Sequence, residues 1–267
     1  MLDFSFLTEA ASLGGGSSNL HLLFLGWQNT LVAFLASILI ALSLGIPLGV
    51  IRSLPNARVA SVVATYVHVF RNIPLLVQLF LWFFVLPEVV PVELGDWLKI
   101  GLPNPEYWNL VVALGIYMSA RIVELTRSGI GSLSSGQFEA SRALGLSTYK
   151  AYRHVILPQA LRVIMPPLTT EFTNCLKATS VGLTVGYIEL TQRSREIAEQ
   201  TFRTFEVFSM ATLGYLVTVM LLTFVLFGIE QDRKSTRLNS SHYQPSRMPS
   251  SAWIGRASCR ERVLPTV

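Results

Sequence analysis

Of the 267 residues, 51% are apolar and only 14% charged, and the mean hydropathy is +0.48. That balance excludes an ordinary soluble core and points to a membrane protein. The formal net charge of +5 suggests an anionic partner such as nucleic acid, but its location argues otherwise. Residues 1–231 hold 14 basic and 14 acidic side chains, so the whole excess lies in residues 232–267.

In chain order, residues 1–19 read as an extracytoplasmic head closing in the flexible run Gly14-Gly-Gly-Ser-Ser18. No positively charged start or small-residue cleavage site marks a signal peptide. A first span is predicted over Leu20–Ile51, with Trp27 as an interfacial anchor and Pro47 near the far end. Arg52, Pro55-Asn56 and Arg58 form a basic turn, and Val59–Leu86 supplies a second span. Residues 87–106 carry Glu88, Glu93, Asp96 and Glu106 and read as an extramembrane loop with a short amphipathic piece around Trp97. Third, fourth and fifth spans are expected over Tyr107–Val123, Val163–Ile188 and Val207–Ile229. A polar loop (124–162) and a charged helix (189–206) separate them.

Lys and Arg concentrate in the turn after the first span and in the long loop, which places both in the cytoplasm. The head then lies outside, and five spans put the end of the membrane region inside. The two cysteines, Cys175 and Cys259, are too few for a disulfide framework or a metal site. Phosphate-loop, zinc-protease and serine-nucleophile motifs do not occur, so the chain has no means of its own to hydrolyse ATP.

The tail reads differently. Asp232 to His242 resembles the translation of a common sequencing adapter, Tyr243 to Trp253 can continue it, and Ile254 to Val263 fits the opposite adapter. Residues 232–267 are therefore expected to be non-native and disordered, and the fold is read from 20–231.

Within the long loop, Glu139, Ala140, Gly145, Leu157 and Pro158 stand at the spacings of the E-A-A, G, I-x-L-P signature of ABC importer membrane subunits. Ser141 replaces the usual second Ala, and Val155 the usual Ile. Gly26-Trp-Gln-Asn-Thr30, Phe70-Arg-Asn-Ile-Pro-Leu-Leu-Val-Gln78 and Ser119-Ala-Arg-Ile-Val-Glu124 resemble the polar amino-acid subfamily of those permeases. Leu86 to Pro91 with Gly95 to Lys99 resembles its glutamate/aspartate branch.

The resemblance implies an all-α integral membrane protein of the type I ABC importer permease fold: five transmembrane helices with a cytoplasmic coupling-helix loop. It implies pairing with an identical or homologous permease subunit, two ABC ATPase subunits that bind ATP and magnesium, and an extracytoplasmic solute-binding protein. The chain itself then needs no cofactor, no metal and no nucleic acid. It would lie in a bacterial inner membrane and import polar amino acids, with glutamate or aspartate as substrate. The alternatives are a stand-alone channel or secondary carrier, or an integral-membrane enzyme.

The residues of the loop support a coupling element. Glu139 is expected to open a helix, where a carboxylate suits the positive end of the dipole. Gly145 permits a sharp turn, and Pro158 is expected to end or redirect a second short helix. The basic residues around it equally suit attachment to an anionic leaflet. Arg71 with Asn72, and Lys177 with Asn174 one turn before it, form a candidate substrate path, because charges inside spans face a bundle interior or a wet cavity. Glu171 would meet the substrate ammonium or pair with Lys177. Arg121, Glu124 and Arg127, three apart, are expected to form local ion pairs.

Overall fold

The computed structural model describes residues 5–7, 18–54 and 56–241, with side chains through residue 228. Most of the head and its Gly-Ser linker, and residues 242–267 of the tail, lie outside the described residues. Helix dominates the rest, and no strand occurs among the described residues.

The first helix, α1 (Asn19–Arg52), starts at Ser18, whose side chain accepts from the His21 amide. Along one face small residues recur at every fourth position: Ala33, Ser37, Ala41, Gly45 and Gly49, all buried. Against that face packs α5 (Pro105–Gly131). The approach is close enough to require glycine. A Cβ on Gly45 would stand 2.7 Å from Ile122 Cβ, and one on Gly49 2.5 Å from Thr126 Cβ. Such small-residue seams let backbones meet where lipid supplies no hydrophobic drive between helices.

Between them the chain forms α2 (Ala57–Asn72), capped by Asn56, and α3 (Leu75–Val89). The single second span expected from the apolar run is in fact broken: α2 and α3 meet at 100°. Pro74 causes the break, since it offers no N–H and drives Ile73 to extended geometry (φ −89°, ψ 126°). Gln78 repairs it. Its buried side-chain amide donates to the carbonyls of Phe70 and Ile73, both at 2.8 Å. Phe70 is the residue whose carbonyl a non-proline at position 74 would have served. A π-helical turn at Leu81–Val85 lies within α3, and α4 (Val92–Asp96) runs into another at Trp97–Gly101.

After α5 come α6 (Ser135–Ala143), α7 (Thr148–Ala151) and α8 (Leu157–Ala178). A 3-10 turn (Thr179–Val185) leads to α9 (Leu190–Thr201), and α10 (Thr204–Gly228) follows. The core joins Phe34, Ile38 and Ala41 of α1 to Leu114, Met118 and Ile122 of α5 and Leu168, Cys175 and Leu176 of α8. Met220, Leu221 and Phe224 of α10 are largely exposed and present the apolar surface a bilayer covers. Residues 228–241 belong to a separate unit, and their backbone is helical.

Among the described residues α1, α5 and α10 are each long and apolar enough to cross a membrane, and the bent α2–α3 pair is either a fourth, broken span or a re-entrant loop. The fourth expected span, Val163–Ile188, is not among them. It is split between α8 and the 3-10 turn, and α8 carries Arg162, Glu171 and Lys177 with Pro166-Pro167.

Candidate functional site

The polar loop folds into a two-helix knob. Glu139 is the fifth residue of α6, not its first, so no acidic side chain occupies that helix's opening turn. The expectation that Glu139 opens the helix is corrected: Ser134 precedes the helix, and Glu139 and Ala140 are exposed on its later half. Gly145 adopts φ +74°. Around it the Leu146 amide donates to Ser141 O (3.1 Å) and the Gly145 amide to Arg142 O (2.9 Å). These are the paired bonds of a helix stop that places its left-handed residue at glycine. Ser147 then caps α7.

Pro158 neither ends nor redirects the second helix. Leu157 is helical (φ −61°, ψ −44°), and Pro158 sits in the first turn of α8. The physical reason is a π-helical turn at Tyr152–Ile156, where the Leu157 amide donates to Tyr152 O five residues back. The changed register carries the chain past the missing proline N–H.

One side of the knob is anchored. The Tyr152 hydroxyl donates to Ser53 O (3.0 Å), and its ring meets Phe138 edge-on at 5.4 Å. Tyr152, Ile156 and Ala160 are buried together with Ile130. Burial pushes the Tyr152 phenol above its ordinary range. The tip is bare: Leu144 is 80% and Tyr149 68% exposed. Exposed apolar side chains on a rigid, polar-flanked projection suit a protein partner. Leu157 is half-buried and Pro158 exposed at its base.

The second group of polar residues lies among the spans. A cavity of about 220 Å³ is lined by Arg71, Arg121, Glu124, Leu125, Ser128 and Glu171. Arg121 Nε and Nη2 reach the two Glu171 oxygens at 2.6 and 3.1 Å. Glu171 is thus paired with Arg121, not with Lys177. Of the expected local pairs, Glu124 takes Arg127 at 3.3 Å but also binds Arg52 of α1. Among the described residues Arg71 has no ion pair, so the cavity holds one uncommitted guanidinium. Asn72, Asn174 and Lys177 do not line this cavity. Arg121 was absent from the candidate path, and Ser119-Ala-Arg-Ile-Val-Glu124 is the segment that carries it.

A third polar cluster holds α9 to the bundle. Glu189 is fully buried; its carboxylate accepts from the Thr191 and Gln192 amides (2.8 and 2.9 Å) and from the Tyr215 hydroxyl (2.6 Å). Burial pushes its carboxyl up, and those hydrogen bonds oppose the shift. Thr30 accepts from the Leu190 amide at 3.2 Å, Asn29 donates to Ile188 O at 2.7 Å, and Trp27 donates to Thr218 at 2.8 Å. The Gly26–Thr30 segment therefore docks helices, and its Asn29 also lines a cleft of about 520 Å³ with Asn104, Tyr107 and Tyr187. No group of His, Cys, Asp and Glu able to hold a metal ion occurs among the described residues.

Residues 41–232 match the family model described as "Binding-protein-dependent transport system inner membrane component". The chain is 33% identical over 219 residues to the glutamate/aspartate import permease protein GltJ of Escherichia coli, covering 81% of this chain and 89% of that one. It is also 33% identical over 198 residues to the probable glutamine ABC transporter permease protein GlnM of Bacillus subtilis, covering 74% and 87%. Its fold resembles the crystal structure of an amino acid ABC transporter with histidines (TM-score 0.68, 29% identity, 80% and 94% covered).

Proposed function

Because the chain belongs to the family of binding-protein-dependent transport system inner membrane components and is an amino-acid ABC importer permease subunit, we propose that it imports acidic amino acids through the Arg71–Glu171 cavity. The observation that carries this reading is the uncommitted guanidinium of Arg71 beside the Arg121–Glu171 pair. A substrate with an extra carboxylate has a cation to meet there, and Glu171 has the charge for its ammonium. The similarity to GltJ supports the same substrate class, while GlnM, at the same identity, favours a neutral side chain. Asn72, Asn174 and Lys177 belong to this proposal as neighbours of the path on α2 and α8.

The wider assembly follows the family. The chain pairs with itself or a sister permease, and two separate ATPase subunits hydrolyse ATP. A solute-binding protein delivers substrate from outside, and the Glu139–Pro158 knob meets the ATPase. The bare tip at Leu144 and Tyr149 supports that contact. This assignment gives α8 and its 3-10 extension the role of a fifth crossing, shielded by packing against α5, with the head outside and the knob in the cytoplasm. The test is competition by charge. Arg71→Gln is expected to weaken glutamate or aspartate uptake more than any glutamine uptake; equal loss for both makes Arg71 a structural residue.

A further inference from the structure

At the base of the knob a cleft of about 740 Å³ opens between the ends of α1, α5 and α6. Its lining contains two guanidiniums, Arg52 and Arg127, and no carboxylate. Ser128 and Ser135 add hydroxyls, and Leu133 and Phe138 an apolar wall. Glu124, which pairs with both arginines, lies outside the lining and offsets one of their two charges. Arg127 holds it by a single contact at 3.3 Å, and its side chain is 51% exposed. The remaining N–H groups of its planar fork are therefore available to a second anion.

The depth of the cleft narrows the ligand. The 27 residues of α5 span about 40 Å, the thickness of a bilayer with its headgroup regions. The end of α5 at Gly131 therefore stands at headgroup level, whichever way the chain is oriented. A ligand there meets cations and hydroxyls on one side and Leu133 and Phe138 on the other. At that depth a headgroup tethered by its acyl chains is held at a far higher local concentration than a free anion, and basic pockets between transmembrane helices hold anionic headgroups.

We infer that this cleft is a binding site for an anionic phospholipid, its phosphodiester on Arg52 and Arg127 and its acyl chains leaving the cleft toward the bilayer. A lipid seated there would bridge the membrane helices to the base of the knob through Phe138 and Ser135. The inference rests on a membrane-spanning chain and not on the identity of the transported substrate.

The experiment is native mass spectrometry of the full chain, purified with its accompanying subunits from membranes of equal phosphatidylglycerol and phosphatidylcholine. The wild type is expected to retain phosphatidylglycerol preferentially. Arg127→Gln should lower that retention roughly five- to ten-fold. Arg153→Gln, which removes an exposed charge from the knob outside the cleft, should leave it unchanged. Ser135→Asp is the second variant. It places a carboxylate in the cleft at the first position of α6, where acid favours the helix, and should lower retention without unfolding the knob. No preference for phosphatidylglycerol, or equal loss with Arg153→Gln, would overturn the site. Displacement of the lipid by inorganic phosphate would overturn the lipid in favour of a soluble anion. Amino-acid-stimulated ATPase activity of the same sample reads the transport assignment separately.

Discussion

Arg121 on α5 and Glu171 on α8 form a two-point ion pair, Nε to one carboxylate oxygen at 2.6 Å and Nη2 to the other at 3.1 Å. The pair joins two helices that otherwise meet through apolar side chains and borders the cavity that also holds Arg71. A planar fork on a carboxylate fixes both distance and angle, so this contact sets how α8 sits on α5. Opening the cavity to a zwitterionic substrate would require one of the two charges to exchange partners.

Loss of either charge should therefore cost more than loss of both. Arg121→Gln or Glu171→Gln alone leaves its partner unpaired at a half-buried site and should destabilise by about 1–3 kcal/mol, reduced because the Arg121 side chain is 36% exposed. The double variant should recover part of that, with a coupling of about 0.5–3 kcal/mol. Thermal unfolding of the four proteins in detergent measures the cycle. Strict additivity would mean that the pair carries no energy.

The break at Pro74 depends on one side chain. Gln78→Leu fills the same space but leaves the Phe70 and Ile73 carbonyls without their donor. The expected loss is about 1–3 kcal/mol, seen as a lower unfolding temperature. Gln78→Leu combined with Pro74→Ala should be milder than Gln78→Leu alone, because alanine restores an N–H for Phe70.

The seam between α1 and α5 should be intolerant at one glycine and indifferent at another. Gly49→Leu drives a side chain into Thr126 and should cost about 1–3 kcal/mol or prevent folding. A Cβ on Gly131 meets nothing within 4 Å, so Gly131→Ala should leave stability unchanged or raise it by about 0.5–1 kcal/mol. Yield and unfolding temperature after membrane extraction compare the two.

At the knob the backbone, not the side chain, makes the demand. Gly145 sits at φ +74° in open space. Asparagine tolerates that conformation and valine does not; the left-handed region costs an ordinary residue about 1–2 kcal/mol. Gly145→Val should insert normally yet lose association with the ATPase in co-purification, whereas Gly145→Asn should keep it. Full association of Gly145→Val would remove the knob from the coupling contact.

Much of this was legible in the sequence. The apolar runs located α1 and α10 within a few residues and the start of α5, which runs eight residues past the expected Val123, and the Glu139–Pro158 signature located the knob with its glycine turn. A break before Pro74 reads from the proline itself, but its 100° angle does not, because a count of apolar residues over Val59–Leu86 is blind to a missing N–H. Pro158 was misread for a related reason: the rule that proline stops a helix assumes α register, and a π turn supplies another. Sequence proximity offers Glu171 either the substrate ammonium or Lys177, whereas Arg121, 50 residues away, is its partner. Such pairings are decided by helix packing, and the glycine seam that sets the packing reads in sequence only as ordinary small residues.

The central claim is that the chain forms the membrane path of an ATP-driven amino-acid importer. Its most direct test is uptake of labelled amino acid into proteoliposomes holding the chain with its partner permease and ATPase, with binding protein outside. Uptake is predicted only when ATP is enclosed and hydrolysed, and none when the chain is reconstituted alone. Uptake down a gradient by the isolated chain, without ATP, would contradict the account and make it a channel or carrier.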